Sequence, residues 1–385
     1  MSEIRVNNLS NESLSGGPTI SGITTFSSPY FFVPPSGDTK SRPSSCPPGS
    51  FRFNTDSAKL EYYRGNTIGW VEVEASSPEL GGGTGSNTGL GARGIAGGGF
   101  LGTRTIEFVT VSTFGDSQDF GDLIAAGAIH GKQAVSTETR MLFSGGYINN
   151  AIEFITVAST GDSTDFGDMT IRRYGETGVN DTIRGIFAGG ASTTPFVPSH
   201  GGVTNVVDYV TIAQTGNAVD FGDLVHTGFP GASMNSTTRG IIARQNGPVG
   251  PNAIMDTIIT RTLGNATDFG DCLSDTGSNV SGGACSATRG ILAGGYLHNI
   301  IQYITMATLG DATDFGDLLT NQNILRAASS KTRGIFAGGS TPSNSNVIES
   351  VQIATTGNSV DFGDMAYVSG DVGQITMNSN AHGGI

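Results

Sequence analysis

The chain has 385 residues, 59 of them glycine, and only 14% carry a charged side chain. Average chains hold about 7% glycine and about one quarter charged residues. This composition therefore excludes a helical protein built on Ala, Glu, Lys and Leu, and the glycines lack the three-residue period of collagen. A net charge of −13, with few lysines, leaves no basic stripe to neutralise phosphates, so nucleic acid is not an expected partner.

The first residues, Met1-Ser2-Glu3-Ile4-Arg5, have no charged region followed by an apolar run, so no signal peptide is expected. Tyr30-Phe31-Phe32-Val33 is far too short for a membrane span. Cys46, Cys272 and Cys285 fit neither a disulfide framework nor a zinc pattern, and reduced thiols are expected. From Pro34-Pro35 to Cys46-Pro47-Pro48 the composition predicts an extended connection. Phe51-Arg52-Phe53, Lys59-Leu60-Glu61-Tyr62-Tyr63 and Trp70-Val71-Glu72-Val73 read as a three-strand meander, with turns at 54–57 and 64–67. The predicted organisation is a small β module over 1–75, a Gly/Ser-rich linker over 76–92 and a repeat region over 93–385.

In the repeat region Asp-Phe-Gly-Asp occurs six times, beginning at Asp119, Asp165, Asp220, Asp268, Asp314 and Asp361. An Arg-led apolar segment precedes each copy, at Arg93, Arg140, Arg184, Arg239, Arg289 and Arg333. Five of these run into Gly-Gly, whereas the fourth reads Ala243-Arg244-Gln245. Each unit predicts an Arg-Gly-Ile strand, a second strand such as Ile106–Val111 with apolar residues at both parities, a Gly-Asp or Gly-Asn hairpin turn, and the Asp-Phe-Gly-Asp strand. The residues that follow leave room for a fourth strand. Four strands in 46 to 55 residues, repeated, predict an all-β fold: a six-bladed kelch-like β-propeller of four-stranded antiparallel blades. An open solenoid is the rival. The terminal His382-Gly383-Gly384-Ile385 echoes the Arg-Gly-Ile opening and could complete a split blade, with the phase and a seventh blade left open.

The repeated Phe is expected as an anchor between blades. The repeated Asp residues read as backbone caps or as partners of the repeated Arg, with calcium as the alternative. Asp-Phe-Gly occurs in kinases, but six periodic copies without a glycine loop or lysine strand make that reading negligible. His130, His200, His226, His298 and His382 fall at unrelated repeat positions, and no hydrolase elbow or Walker loop is present. The expectation is a chain without enzymatic activity, cofactor or metal. Loop length after Gly-Gly varies most, and insertions of this kind gather on one propeller face. Tyr147, Phe196, His200, Tyr296 and His298 are therefore the candidate contact residues, against a plainer reading as ornament or packing.

Gly49-Ser50-Phe51-Arg52-Phe53-Asn54-Thr55-Asp56 through Tyr62-Tyr63, followed by Gly69-Trp70-Val71-Glu72, resembles a module of virion proteins of tailed bacteriophages, notably tail-fibre-like proteins of marine cyanophages. Thr-Gly-Asn-Ala-x-Asp-Phe-Gly-Asp-Leu with Thr-Arg-Gly-Ile-Phe-Ala-Gly-Gly resembles kelch-like repeat regions of the same phages. The resemblance implies a virion component on the tail or a fibre, made in the host cytoplasm, with other virion proteins as partners and a trimeric state. It implies no reaction. On that reading Phe51, Phe53, Tyr62, Tyr63 and Trp70 of the first module anchor the chain to the particle. The repeat region either binds a host-surface glycan or protein, or is purely architectural and meets only other virion proteins.

Overall fold

The computed structural model describes residues 34–44, 46–57, 59–73, 92–98, 104–124, 132–146, 149–192, 202–246, 253–273, 282–295, 298–322, 325–339, 345–366 and 375–385. The chain divides into two compact units, Met1–Ser76 and Ser77–Ile385. Among the described residues there is no α-helix, and no helix is long and apolar enough to cross a membrane. The glycine-rich stretch 81–86 lies outside them.

In the first unit the expected meander forms from Phe51–Asn54, Lys59–Tyr63 and Trp70–Glu72, in antiparallel order. The proline-rich connection is not merely extended. Ser36–Gly37 pairs in parallel with Phe53 and Asn54 and makes a fourth strand. Behind it a 3₁₀ turn, Thr39–Ser41, is capped by Asp38, whose Oδ1 accepts the Ser41 N–H at 2.7 Å. The strand period separates two faces. Arg52, Asn54 and Glu61 are buried on one, where Arg42 donates to Glu61 at 2.9 Å through Nε and Asn54 Nδ2 donates to it at 3.3 Å.

The second unit holds six four-stranded antiparallel sheets among the described residues. Sheets 2, 4, 5 and 6 use consecutive strands, and in sheet 3 Ala191–Ser192 intervenes, paired with Arg173–Tyr174. Sheet 2 is Gln133–Ser136, Arg140–Ser144, Ala151–Thr156 and Thr164–Asp168. Sheet 3 is Thr177–Asn180, Arg184–Ala188, Val206–Thr211 and Val219–Asp223. Sheet 4 is Phe229–Asn235, Arg239–Asn246, Ile254–Ile259 and Thr267–Asp271. Sheet 5 is Gly282–Cys285, Arg289–Gly295, His298–Thr305 and Thr313–Asp317. Sheet 6 is Arg326–Ser329, Arg333–Ala337, Val347–Gln352 and Val360–Asp364. Sheet 1 takes its first strand from the far end of the chain: Thr376–Ser379 pairs with Arg93–Gly97, which precedes Thr105–Thr110 and Gln118–Asp122.

The expected fourth strand therefore exists, and it is the first of each sheet. The echo at the end of the chain is not a strand, because the pairing is made earlier, by Thr376–Ser379. The Gly-Asp and Gly-Asn dipeptides are not hairpin tips either. They sit inside longer connections such as 111–117, and they bond to the neighbouring sheet.

That bonding explains the repeated motif residue by residue. The Phe is buried, and its carbonyl accepts the N–H of the turn glycine of the next sheet, as in Gly161 to Phe120 (2.7 Å) and Gly216 to Phe166 (2.8 Å). The glycine after it, Gly121 through Gly363, has φ between +140° and +151° and lies at a β-bulge against the third strand. A Cβ there would overlap the neighbouring turn carbonyl, so only glycine fits. The second Asp presents its N–H to the turn Asp or Asn of the next sheet, as in Asp122 to Asp162 Oδ1 (3.0 Å) and Asp168 to Asn217 Oδ1 (3.1 Å). The series does not stop at the sixth sheet. Gly115 N–H reaches Phe362 O at 2.9 Å and Asp364 N–H reaches Asp116 Oδ1 at 3.0 Å, so sheet 6 bonds to sheet 1.

The apolar core follows the same order. Each cluster is shared by two adjacent sheets, as where Phe120 and Ile106 of sheet 1 pack with Phe143 and Ile155 of sheet 2. Another joins Phe362 and Ile335 of sheet 6 to Val109 of sheet 1. Both faces of each inner strand are covered by such clusters, which is why apolar residues stand at both parities.

The expected Arg–Asp pairing is replaced by a different contact. Each repeated Arg donates to a backbone carbonyl at the exit of the next sheet's third strand: Arg93 to Val157 O (2.6 Å), Arg184 to Thr260 O (3.1 Å), and Arg333 of sheet 6 to Val111 O of sheet 1 (3.0 Å). The guanidinium also lies over a third-strand ring, as Arg140 over Phe154 at 4.7 Å and Arg289 over Tyr303 at 4.5 Å. Where that ring is missing, at Thr257 and Ser350, Arg239 turns to Phe269 and Arg333 to Phe114.

Candidate binding face

Antiparallel order sends the chain alternately up and down each sheet. Connections from second to third strand and from fourth strand to the next sheet thus leave from one end, the loop end. The short turns leave from the other. The first strands of consecutive sheets are neighbours, from sheet 1 through sheet 6 and back to sheet 1. They bound a half-open cavity whose wall includes Gln133, Thr177, Gly231, Arg326 and Met377.

At the turn end the last residues of these strands bond to one another. Ser136 N–H donates to Asn180 Oδ1 (3.3 Å), Asn180 N–H to Asn235 Oδ1 (2.9 Å), Asn235 N–H to Cys285 Sγ (3.3 Å) and Cys285 N–H to Ser329 Oγ (3.1 Å). Ser379 Oγ donates to Ser329 O, and Ser136 Oγ to Ser379 O at 2.5 Å. The C-terminal residues fill the middle. Gly383 N–H donates to Cys285 O (3.1 Å), and His382 is buried with Nδ1 accepting the Gly384 N–H (3.0 Å). Nε2 lies 3.1 Å from Asn180 Nδ2 and 3.4 Å from Ser136 O. Burial pulls the His382 pKa down to about 4, so the ring is neutral near pH 7. A Cβ on Gly383 would strike Ser286 O and one on Gly384 would crowd Asn180 O. The tail residue His382 forms part of the cavity wall at this end. Arg326 is the one charged side chain among the described residues lining it, and burial lowers its pKa to about 10.

Buried charges sit at the loop ends of sheets 2 and 3. Lys132 meets Glu153 at 3.0 Å, where burial works against ionisation but Lys132 and Ser163 keep the carboxyl below its ordinary range. Arg173 meets Asp208 at 3.1 Å. Glu176 accepts from Ser144 Oγ at 3.2 Å, and burial pushes its pKa up to about 7.

Of the loop residues selected from the sequence, Tyr147, Phe196, His200 and Tyr296 lie outside the described residues. His298 opens the third strand of sheet 5, half-buried, its carbonyl accepting the Gln322 N–H at 3.3 Å. The aromatic set of the first unit divides between two faces. Phe51, Phe53 and Tyr62 share the outward one, with Leu60 and Val73, and Phe51 is 47% exposed. Tyr63 and Trp70 lie on the other, ring centres 5.4 Å apart, with Trp70 Nε1 donating to Pro43 O at 3.0 Å.

Two columns of residues escaped the sequence reading. One is the small polar residue four places before five of the six Arg (Ser136, Asn180, Asn235, Cys285, Ser329), which with Ser379 makes the turn-end ring. The other is Glu107, Glu153, Asp208, Asp256, Gln302 and Glu349, buried in the third strands. Aligning the repeats on their Arg would have exposed the first, and aligning them on Asp-Phe-Gly-Asp the second. The second column also varies with its partner: Glu107, Glu153 and Glu349 each accept from a serine (Ser117, Ser163, Ser359), while Asp208, Asp256 and Gln302 stand opposite Ala218, Ala266 and Ala312. Among the described residues no three His, Cys, Asp or Glu side chains are grouped to hold a metal. All three cysteines are free, and burial pushes the Cys272 pKa up to about 12.

No protein-family model matches the chain. No curated protein matches it either.

Proposed function

We propose that the second unit is a six-bladed β-propeller belonging to a non-enzymatic virion protein of a tailed bacteriophage. Its loop face recognises a host surface, and its first unit attaches the chain to the particle. The observation that carries the closed ring is the inter-sheet bonding that returns from sheet 6 to sheet 1 at Gly115–Phe362, Asp364–Asp116 and Arg333–Val111. An open solenoid would leave its two end sheets unbonded. His382-Gly383-Gly384 packs among the turn-end residues of the first strands, which leaves recognition to the loop end. The virion reading rests on the Phe51–Tyr63 and Asp-Phe-Gly-Asp motifs. It is supported by the outward apolar face of Phe51, Leu60, Tyr62 and Val73, a surface suited to docking on another virion protein.

Two measurements test this. Reconstruction of an intact particle should place the chain on the tail or a fibre, with its loop end outward. Its absence from purified particles would end the virion reading, and loops buried against neighbouring virion proteins would turn the role to architecture. Second, the purified chain should adsorb to host cells, and chains with exchanged loops should not.

A further inference from the structure

The six first strands can be compared level by level, because their register against the second strands is fixed. Four places beyond the repeated Arg, the second strand faces Thr376, Gln133, Thr177, Gly282 and Arg326 in sheets 1, 2, 3, 5 and 6. Sheet 4 has a bulge at this level, between Pro230 and Ser233. Of these residues only Arg326 is charged. One step toward the turn end stand Met377, Ala134, Gly178, Ser233, Gly283 and Ala327, small in five sheets of six. They must be small, since a Cβ on Gly178 would strike Ala134 O and one on Gly283 would strike Ser233 O. A ring that its other sheets complete with neutral residues does not need a guanidinium for its construction.

Arg326 is half-buried, lines the central cavity and donates through Nη1 to Leu325 O at 3.0 Å. The five N–H groups of a guanidinium serve more than one acceptor. Among the described residues of the cavity wall there is no Asp or Glu. His382 is neutral near pH 7, and burial pushes the Cys285 thiol up, so both leave the charge of Arg326 as it is. The wall is therefore cationic, although the chain as a whole carries −13. Charge held inside a protein is stabilised by an ion of opposite sign beside it. The cavity volume is about 30 Å³. That is room for about two waters or one monatomic anion, and too little for a sugar ring. Gly231, Gly283, Ala134 and Ala328 contribute no side chain long enough to fill it.

We propose that the central cavity binds one small monovalent anion, of the size of chloride, with Arg326 as its charged donor. The site goes beyond the recognition reading and does not depend on it. Its effect is on the ring: an anion at the axis holds the first strand of sheet 6 against the other first strands, and stability rises with its concentration.

The test uses the full chain and chloride itself. Chloride NMR should show line broadening above that of buffer alone, removed by added bromide. Arg326→Met, which keeps the length of the side chain and removes its charge, should bind chloride at least about tenfold more weakly. Melts in sodium chloride and in sodium gluconate at equal ionic strength supply a second readout, because gluconate is too large to enter. The parent should melt higher in chloride, and Arg326→Met should melt alike in both. If that variant does not fold, crystals of the parent soaked in bromide decide by anomalous diffraction, with a peak expected beside the Arg326 guanidinium. No broadening above buffer, equal chloride affinity in a folded Arg326→Met chain, or bromide peaks that all lie elsewhere would each overturn the site.

Discussion

A single buried glutamate sets one part of the pH response. Glu176 has an ordinary pKa of 4.5 that burial raises to about 7, so the folded chain binds its proton more tightly than the unfolded one. Its contribution is fully present below pH 4.5 and is lost as pH rises through about 7. Glu176→Gln should therefore flatten the fall in melting temperature between those values and leave the variant more stable than the parent at pH 8. Equal slopes in a pH series of melts would contradict this. His382 acts in the opposite sense: its pKa falls from 6.5 to about 4, so its share is present above 6.5 and is lost on acidification toward 4. Backbone geometry is as demanding. Gly167 has φ +148° against the Gly216 carbonyl, so Gly167→Ala combines a strained conformation with a clash. A loss on the order of 3 kcal/mol is expected in denaturant titration, with Gly49→Ala, which has open space around it, as the milder comparison.

The outer strand shows how an element can serve two sheets. It completes its own sheet through the third strand, while its Phe carbonyl and Asp N–H bind the turn of the next. Phe315 is buried in the cluster shared by sheets 5 and 6, and Phe315→Ala should cost on the order of 3–5 kcal/mol. A change below about 0.5 kcal/mol would remove the Phe from that interface. The same strand carries an exposed Asp before its Phe and a bulge after it, both of which discourage pairing with a second chain. Because the turn Asp and Asn oxygens accept backbone N–H groups, chelator should leave the melting midpoint unchanged; a drop would restore the calcium reading.

At the scale of the second unit, no apolar cluster belongs to one sheet alone, so loosening one sheet exposes the core of two neighbours. A single cooperative unfolding transition is expected for this unit. Removing 375–385 should destroy it, since sheet 1 would lose its first strand and the turn-end ring its centre. A truncated chain that melts like the parent would mean that Thr376–Ser379 adds nothing.

The six repeats, their strand content and the buried Phe were legible from spacing, because a fixed period and apolar residues at both parities are local properties of the chain. The Arg contacts were not. One Arg and two Asp recur in each repeat, and composition favours their pairing, yet each Arg is held beside carbonyls of the next sheet. The end of the chain was misread for a similar reason: His382-Gly383-Gly384 has the wording of a strand but sits where six first strands converge, and there only glycine fits. Arg326 reaches the wall of the central cavity only because six first strands converge there, a proximity that order along the chain does not encode. Periodicity specifies which residues repeat. Which of them meet is decided by the packing of one sheet on the next, where distances across the gap, rather than along the backbone, select each partner.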